Sequence, residues 1–268
     1  MGWADGRRVA RHDAAMAYPV IPVGEVGGPQ GYTYAAVVVR VDDPPLTRDD
    51  VLAALKELRF SGWVGQPEDG WLAAVLASGN GTVAAGRRGV AGVGEWLAER
   101  LGTTVVAVRV VRDRQLLVVV WAGGEEVGRY LSDPSYGLGP DDDTLPGPYG
   151  VEHGAAFAAA CGRLENADDL EELLGEELDP DSVIESERLA RVLQLLGLPR
   201  WLVAAPSLPH DVPTGPSRHD LTRLGAGVPG ALGWVCHRAV NVVRRRRPPP
   251  PAVTDAPRGS SGMDPWLM

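Results

Sequence analysis

The segment from Thr103 to Leu131 constrains the fold more than any other part of the sequence. It contains three short runs rich in Val and Leu, separated by a polar turn at 112–115 and by a Gly-Gly pair at 123–124. Such runs joined by tight turns are typical of consecutive antiparallel strands. A small sheet of this kind has an apolar face that other elements must cover.

Two amphipathic helices are predicted to cover this sheet. One is expected over residues 47–58, where a capping-box spacing precedes apolar residues at helical intervals, and the other over 90–101. A buried strand is expected over 32–41, and two shorter strands carry Trp63 and Trp71. We therefore predict an α+β fold: an antiparallel sheet with a three-strand meander covered by two helices, followed by a small helical segment and a disordered tail.

Changes in composition divide the chain into six predicted segments. Gly and Pro contribute 34 and 23 of the 268 residues, about twice their average share, which indicates long irregular stretches. The segments are a flexible leader at 1–30, the α+β sheet domain at 31–136, an acidic helical segment at 150–198, a Pro/Gly-rich linker at 199–230, a basic amphipathic helix at 231–247 and a disordered tail at 248–268.

Cysteine usage and the start of the sequence both favour a cytoplasmic location. The two cysteines, Cys161 and Cys236, are far apart in a chain large enough to fold without a disulfide. The first residues include Asp5 and Asp13, and no apolar run of signal-peptide length follows them before Pro19.

The spacings that usually mark catalytic sites are absent from the sequence. It contains no Gly-x-Ser-x-Gly elbow, no His-Glu-x-x-His helix and no Cys-x-x-Cys pair. We therefore expect a non-catalytic protein that holds neither a cofactor nor a metal. The alternative is a small hydrolase or transferase whose site assembles from scattered residues such as Arg129, Asp133 and His153.

An acidic stretch at 165–187 contains eleven acidic residues and no basic residue. A solvated helix surface is one interpretation, because leucines in the same stretch still provide an inner face. A docking surface for a basic protein partner is the other, since such a field accelerates association and selects cationic partners. The candidate partner-binding residues are Glu171, Glu172, Glu176 and Glu177.

A basic cluster at 244–247 follows an apolar helical pattern and immediately precedes four prolines. A solvated helix end is the simplest interpretation, and weak contact with an anionic membrane surface is an alternative. Nucleic-acid binding is disfavoured because neither an aromatic platform nor a recognised motif accompanies the cluster. The candidate contact residues are Arg244, Arg245, Arg246 and Arg247.

Residues 70–71, 94–97 and 115–134 carry a family resemblance. The third of these segments ends in a recurring set of residues: Arg129, Tyr130, Ser132 and Pro134. This strand-turn-strand ending in Arg-Tyr-x-Ser-x-Pro resembles uncharacterised proteins of actinobacteria, over less than a third of the chain. The resemblance implies no activity and hence no catalytic residue.

The acidic α+β character is also similar in type to immunity proteins of bacterial toxin systems, which bind protein partners. This second likeness is one of type and not of motif. Together these features predict a non-catalytic cytoplasmic module that binds another protein through its central sheet or its acidic helical segment.

Overall fold

An antiparallel sheet of eight strands organises the described part of the chain. The structure, a computed structural model, describes residues 31–134, 136, 147–176, 185–212, 214–245 and 249. The strands are Tyr34–Arg40 (β1), Gly62–Glu68 (β2), Trp71–Leu76 (β3), Val105–Val111 (β4), Gln115–Ala122 (β5), Glu125–Leu131 (β6), Thr222–Gly225 (β7) and Val228–Pro229 (β8). Their order is β6-β5-β4-β1-β3-β2-β7-β8. The predicted combination of helices with an antiparallel sheet is confirmed.

The helices of the described residues lie mainly on the two faces of this sheet. They are Arg48–Glu57 (α1), Val90–Leu101 (α2), Gly154–Ala160 (α3), Ala167–Gly175 (α4), Glu185–Leu195 (α5) and Gly230–Arg245 (α6), with a 3-10 segment at Arg200–Ser207. α1 begins with the predicted capping box, in which Thr47 and Asp50 exchange hydrogen bonds. α2 ends at Gly102, which has the positive φ that favours glycine at helix ends.

Both faces of the central strands are buried, and each belongs to a different hydrophobic cluster. The back face, which includes Val37 and Val119, packs against α1 and α2. The front face, which includes Val38 and Val118, packs against α3, α4, α5 and residues 200–207. Burial on both sides explains why β1, β4 and β5 are continuous apolar runs instead of alternating ones.

The acidic helical segment therefore completes the core of the sheet domain. Its leucines, among them Leu170, Leu173 and Leu174, are almost fully buried against the front face. Without α4 and α5 this face would expose a large apolar surface to water, which a stable domain avoids. In the structure, the sheet and the acidic helices share one hydrophobic core.

The 199–230 stretch, predicted from composition as a linker, contains regular structure. Trp201 and Leu202 in the 3-10 segment are buried against the front face. Strand β7 then pairs with β2, where Gly62 is opposite Leu224. Each apolar segment between the prolines is too short to show a helical or strand period. The sequence pattern therefore did not indicate this regular structure.

Several expectations fall on residues that the structure does not describe. The predicted flexible leader at 1–30 lies outside the described residues, as does the predicted disordered tail at 248–268 apart from Pro249. Among the helices that are described, none has the length and apolar character needed to cross a bilayer.

Candidate functional site

The four candidate glutamates of the acidic segment have different surroundings. Glu171 accepts a hydrogen bond from the backbone N–H of Ala155 at 3.2 Å, which joins α4 to the start of α3. Glu176 forms a bidentate ion pair with Arg191 of α5, at 2.8 and 3.1 Å. Glu172 is exposed, whereas Glu177 lies outside the described residues. Two of the four carboxylates thus already have partners within the fold.

The exposed face of α4 carries three other acidic positions together. Asp168, Asp169 and Glu172 are exposed, and their carboxylates have no hydrogen bond or ion pair with another described residue. Positions 168 and 172 are one helical turn apart, so their side chains share a face. We call Asp168, Asp169 and Glu172 the α4 acidic face.

A small groove adjoins the α4 acidic face. It has a volume of about 280 Å³ and is lined by Asp169, Glu172 and Leu173 of α4 and by residues of α5, including Arg191. Carboxylates and aliphatic side chains line it together with the guanidinium of Arg191, which is paired with Glu176. The carboxylates and aliphatic groups suit a long basic side chain, whose stem is apolar and whose head is charged.

The candidate arginines at 244–247 are also not equivalent. The guanidinium of Arg244 donates hydrogen bonds to the hydroxyl of Ser61 and to the carbonyl oxygens of Val83 and Arg59, each at 2.9 Å. Burial lowers the pKa of Arg244 from its ordinary value. Arg244 thus joins α6 to the sheet domain, and its role as a contact residue stays a prediction. Residues 246 and 247 lie outside the described residues, as does the side chain at 245.

The scattered residues of the alternative enzyme hypothesis do not form a catalytic cluster. His153 Nδ1 lies 2.9 Å from the backbone oxygen of Arg129, so the ring meets the main chain and not the guanidinium. The guanidinium of Arg129 instead pairs with Glu126 at 2.6 Å. Asp133 accepts through its backbone oxygen from Gln115 and through Oδ1 from the N–H of Tyr136. These bonds occupy the groups in structural roles.

A buried polar network joins α5 to β6 and to the end of α4, and it is the main feature that the sequence analysis missed. Arg188 donates hydrogen bonds to the hydroxyl of Tyr130, to the Leu174 carbonyl at 3.1 Å and to the Glu176 carbonyl at 2.7 Å. Its Nε lies 3.4 Å from Oε2 of Glu185, an ion pair without hydrogen-bond geometry in which both side chains are almost fully buried. Acid and base three positions apart on a helix normally indicate a surface pair, so no local pattern indicates that this pair is buried.

A second group of polar residues joins the start of α5 to the sheet. The Tyr34 hydroxyl donates to Ser186 at 2.9 Å, and the Ser186 hydroxyl donates to Asp113. Asp113 also accepts from the backbone N–H of Tyr32 at 2.6 Å. Burial raises the pKa of Tyr34 above its ordinary value, so its hydroxyl stays protonated. The group connects α5 to β1 and to the β4–β5 turn.

The titration of Glu185 gives a testable pH dependence. Burial raises the pKa of this carboxyl, against the opposing effects of the Ser132 hydrogen bond and of Arg188. An acid with a raised pKa in the folded state contributes stability that is present below its unfolded pKa and is lost as the pH rises through the folded pKa. We expect the free energy of unfolding of the wild type, relative to Glu185→Gln, to decrease as the pH is raised above about 4, the ordinary pKa of a glutamate.

Urea unfolding of both proteins across that pH range measures this effect. The matched control is Glu187→Gln, which removes an exposed carboxylate from the same helix and so reports the effect of losing a charge there without loss of the buried group. A difference between wild type and Glu185→Gln that is constant, or that grows with pH, contradicts the assignment.

The cysteines and histidines show no nucleophile or metal arrangement among the described residues. Burial raises the pKa of Cys161 to about 12, which leaves its thiol protonated and unreactive at neutral pH. Asp211 and Asp220, each next to a histidine, accept backbone N–H groups of nearby residues and so stabilise turns. No group of three or more His, Cys, Asp or Glu side chains in the described ranges could hold a metal ion.

A cleft of about 920 Å³ lies between the β2–β3 turn and the end of α5. Trp201 lines it and donates its indole N–H to Glu68 at 3.1 Å. Asp69, Arg163 and Arg200 also face the cleft. Since acidic and basic groups occur together, its charge singles out no class of ligand. Comparison with models of known protein families, with curated proteins and with solved structures finds no match to this chain.

Proposed function

We propose that this chain is a non-catalytic cytoplasmic module that binds a basic protein partner through the α4 acidic face. The observation that carries the proposal is the set of three exposed carboxylates, Asp168, Asp169 and Glu172, which have no partner among the described side chains. Charges of one sign on a single surface increase the rate of association with an oppositely charged protein and disfavour like-charged ones.

The fold favours this surface over the central sheet. Both faces of β1, β4 and β5 are covered by helices, so neither face is accessible to a partner. At the β8 end of the sheet, α6 packs against β7 and β8. The acidic surface is therefore the more accessible of the two surfaces that the sequence suggested.

The helix dipole accounts for only part of the acidic pattern. Asp168 and Asp169 lie in the first turn of α4, where negative charge stabilises a helix. Glu172 lies beyond the first turn, where this effect is weak, and it borders the groove toward α5. A lysine or arginine of the partner that enters this groove would meet Asp169 and Glu172 together.

The proposal is tested by neutralising these three carboxylates in the full chain. We expect the triple variant Asp168→Asn, Asp169→Asn, Glu172→Gln to bind its partner about tenfold less tightly at low salt, because exposed ion pairs each contribute modestly. Affinity capture at low ionic strength, repeated at high ionic strength, measures the loss. Glu171 and Glu176 are left unchanged because their bonds to Ala155 and Arg191 support the fold.

The matched control removes the same number of exposed charges outside α4 and α5: Asp49→Asn, Glu99→Gln and Glu125→Gln. It should retain the partner set of the wild type. The proposal is contradicted if the triple α4 variant binds the same proteins as the wild type. It is also contradicted if the control variant loses those proteins to the same extent.

A further inference from the structure

The outer face of α6 is an exposed apolar stripe. Leu232, Val235, Val242 and Val243 have 74, 57, 59 and 59% of their surface accessible. The first three of these residues are separated by three and then seven positions, which places them on one side of a helix. We call Leu232, Val235, Val242 and Val243 the α6 stripe.

The opposite side of α6 is fixed to the protein. Gly233 is buried against the β7–β8 hairpin, so closely that a Cβ there would lie 2.0 Å from the Val228 oxygen. Arg244 at the other end of the helix donates hydrogen bonds to the Ser61 hydroxyl and to two backbone carbonyls. With contacts at both ends, the helix holds the α6 stripe outward.

The sequence around the α6 stripe is basic. From residue 221 to residue 254 the sequence contains Arg223, Arg238 and the four arginines at 244–247, and it contains no acidic residue. The guanidinium carbon of Arg238 lies 4.2 Å from the ring centroid of Trp234 beside the stripe. This local positive charge contrasts with the formal net charge of −9 for the whole chain.

We propose that α6 lies flat on an anionic lipid surface, with the α6 stripe at the boundary between headgroups and acyl chains. A helix with one apolar side, flanking arginines and a tryptophan has the features of an interfacial helix. Neighbouring arginines add electrostatic attraction to anionic headgroups, which strengthens an otherwise weak apolar contact. The attachment is peripheral and reversible, and it is independent of the α4 acidic face.

A second copy of the chain is a poorer occupant of the α6 stripe. Sixteen residues of helix extend about 24 Å, and a helix is about 10 Å wide, so the face offers roughly 240 Å². Stable dimers bury about 800 Å² on each partner. The stripe alone is too small for such an interface, whereas a membrane needs only a shallow apolar contact combined with charge.

Vesicle flotation of the full chain tests the proposal. We expect the protein to float with vesicles of phosphatidylcholine containing phosphatidylglycerol, and to bind vesicles of phosphatidylcholine alone at least about tenfold less, because the arginines then lack anionic partners. Raising the salt concentration should weaken binding to the anionic vesicles, since screening shortens the range of the attraction.

Two single variants, Val235→Asp and Val242→Asp, should each lower binding to the anionic vesicles by about tenfold or more. The control is Leu164→Asp, which changes an apolar residue of similar exposure (64%) outside α6 and should bind as the wild type does. Circular dichroism verifies that all three fold. The proposal is overturned if the wild type does not float, if either α6 variant binds normally, or if Leu164→Asp loses binding equally.

Sedimentation measures the oligomeric state. If the wild type does not float but forms a dimer that Val235→Asp abolishes, the α6 stripe contacts a second copy of the chain and the proposal is overturned.

Discussion

Replacement of Arg188 by alanine is expected to lower the free energy of unfolding by about 3–5 kcal/mol, the range for breaking a buried ion pair from one side. The substitution leaves Glu185 without the buried counter-charge of Arg188 and leaves the Glu176 carbonyl without the donor that it has in the wild type. It also removes the donor to the Tyr130 hydroxyl. Unfolding in urea followed by circular dichroism measures the loss.

A double variant separates the burial of an unpaired charge from the loss of packing. Glu185→Leu combined with Arg188→Met replaces both charged groups by apolar side chains, and such replacements are often neutral or stabilising. We expect the double variant to recover at least half of the stability lost in Arg188→Ala. Tyr130 retains a partner there, because its hydroxyl donates to the Leu174 carbonyl at 3.0 Å. A single variant that costs less than about 1 kcal/mol, or a double variant less stable than the single, would contradict the role of the ion pair.

Local signals in the sequence located most of the regular elements of the sheet domain. The helix predicted over 90–101 has the same bounds as α2, because Gly102 ends it in a conformation that suits glycine. The helix predicted over 47–58 matches α1 to within one residue at each end, because the capping box of Thr47 fixes its start. Such signals act between neighbouring residues, so a sequence pattern detects them.

Long-range packing was harder to predict from the sequence. Leu170, Leu173 and Leu174 of α4 are almost fully buried, although the helix is rich in acidic residues. The charge of the exposed face does not indicate this, because a helix can bury one apolar stripe whatever charge its other face carries. The addition of β7 to β2 depends on a strand of four residues after a stretch rich in proline. The leucine spacing indicates that α4 has an inner face, but neither that spacing nor the short β7 run indicates the packing partner, because each contact joins residues far apart in the sequence.

The same limitation applies to the candidate functional residues. Composition located the acidic surface, but it did not distinguish Glu176, which is paired with Arg191, from the unpaired Glu172. It also placed Arg244 with its three basic neighbours, although Arg244 bonds to the sheet domain. In both cases the role of a charged side chain depends on its partner, and that partner can be far away along the chain, as Ser61 is from Arg244.

Replacement of Gly233 by alanine should lower the free energy of unfolding by about 1–3 kcal/mol, the range for overpacking a well-packed contact. Alanine normally stabilises the interior of a helix by up to about 1 kcal/mol relative to glycine, so the expected effect has the opposite sign to helix propensity. The reason is steric: the added Cβ would lie 2.0 Å from the Val228 oxygen and 3.1 Å from the Gly225 nitrogen, and these are backbone atoms of the β7–β8 hairpin.

Gly92→Ala in α2 is the matched control, because the three atoms nearest to the added Cβ all belong to the Arg88 side chain, at 3.1 to 3.6 Å, and none is a backbone atom. It should therefore stabilise the protein by about 0.5–1 kcal/mol. If Gly233→Ala also stabilises the protein, then α6 does not pack on the hairpin at the distance observed here. Helix propensity alone predicts that both substitutions raise the free energy of unfolding. If urea unfolding shows instead that Gly233→Ala lowers it and Gly92→Ala raises it, close packing against β7 and β8 determines the position of α6.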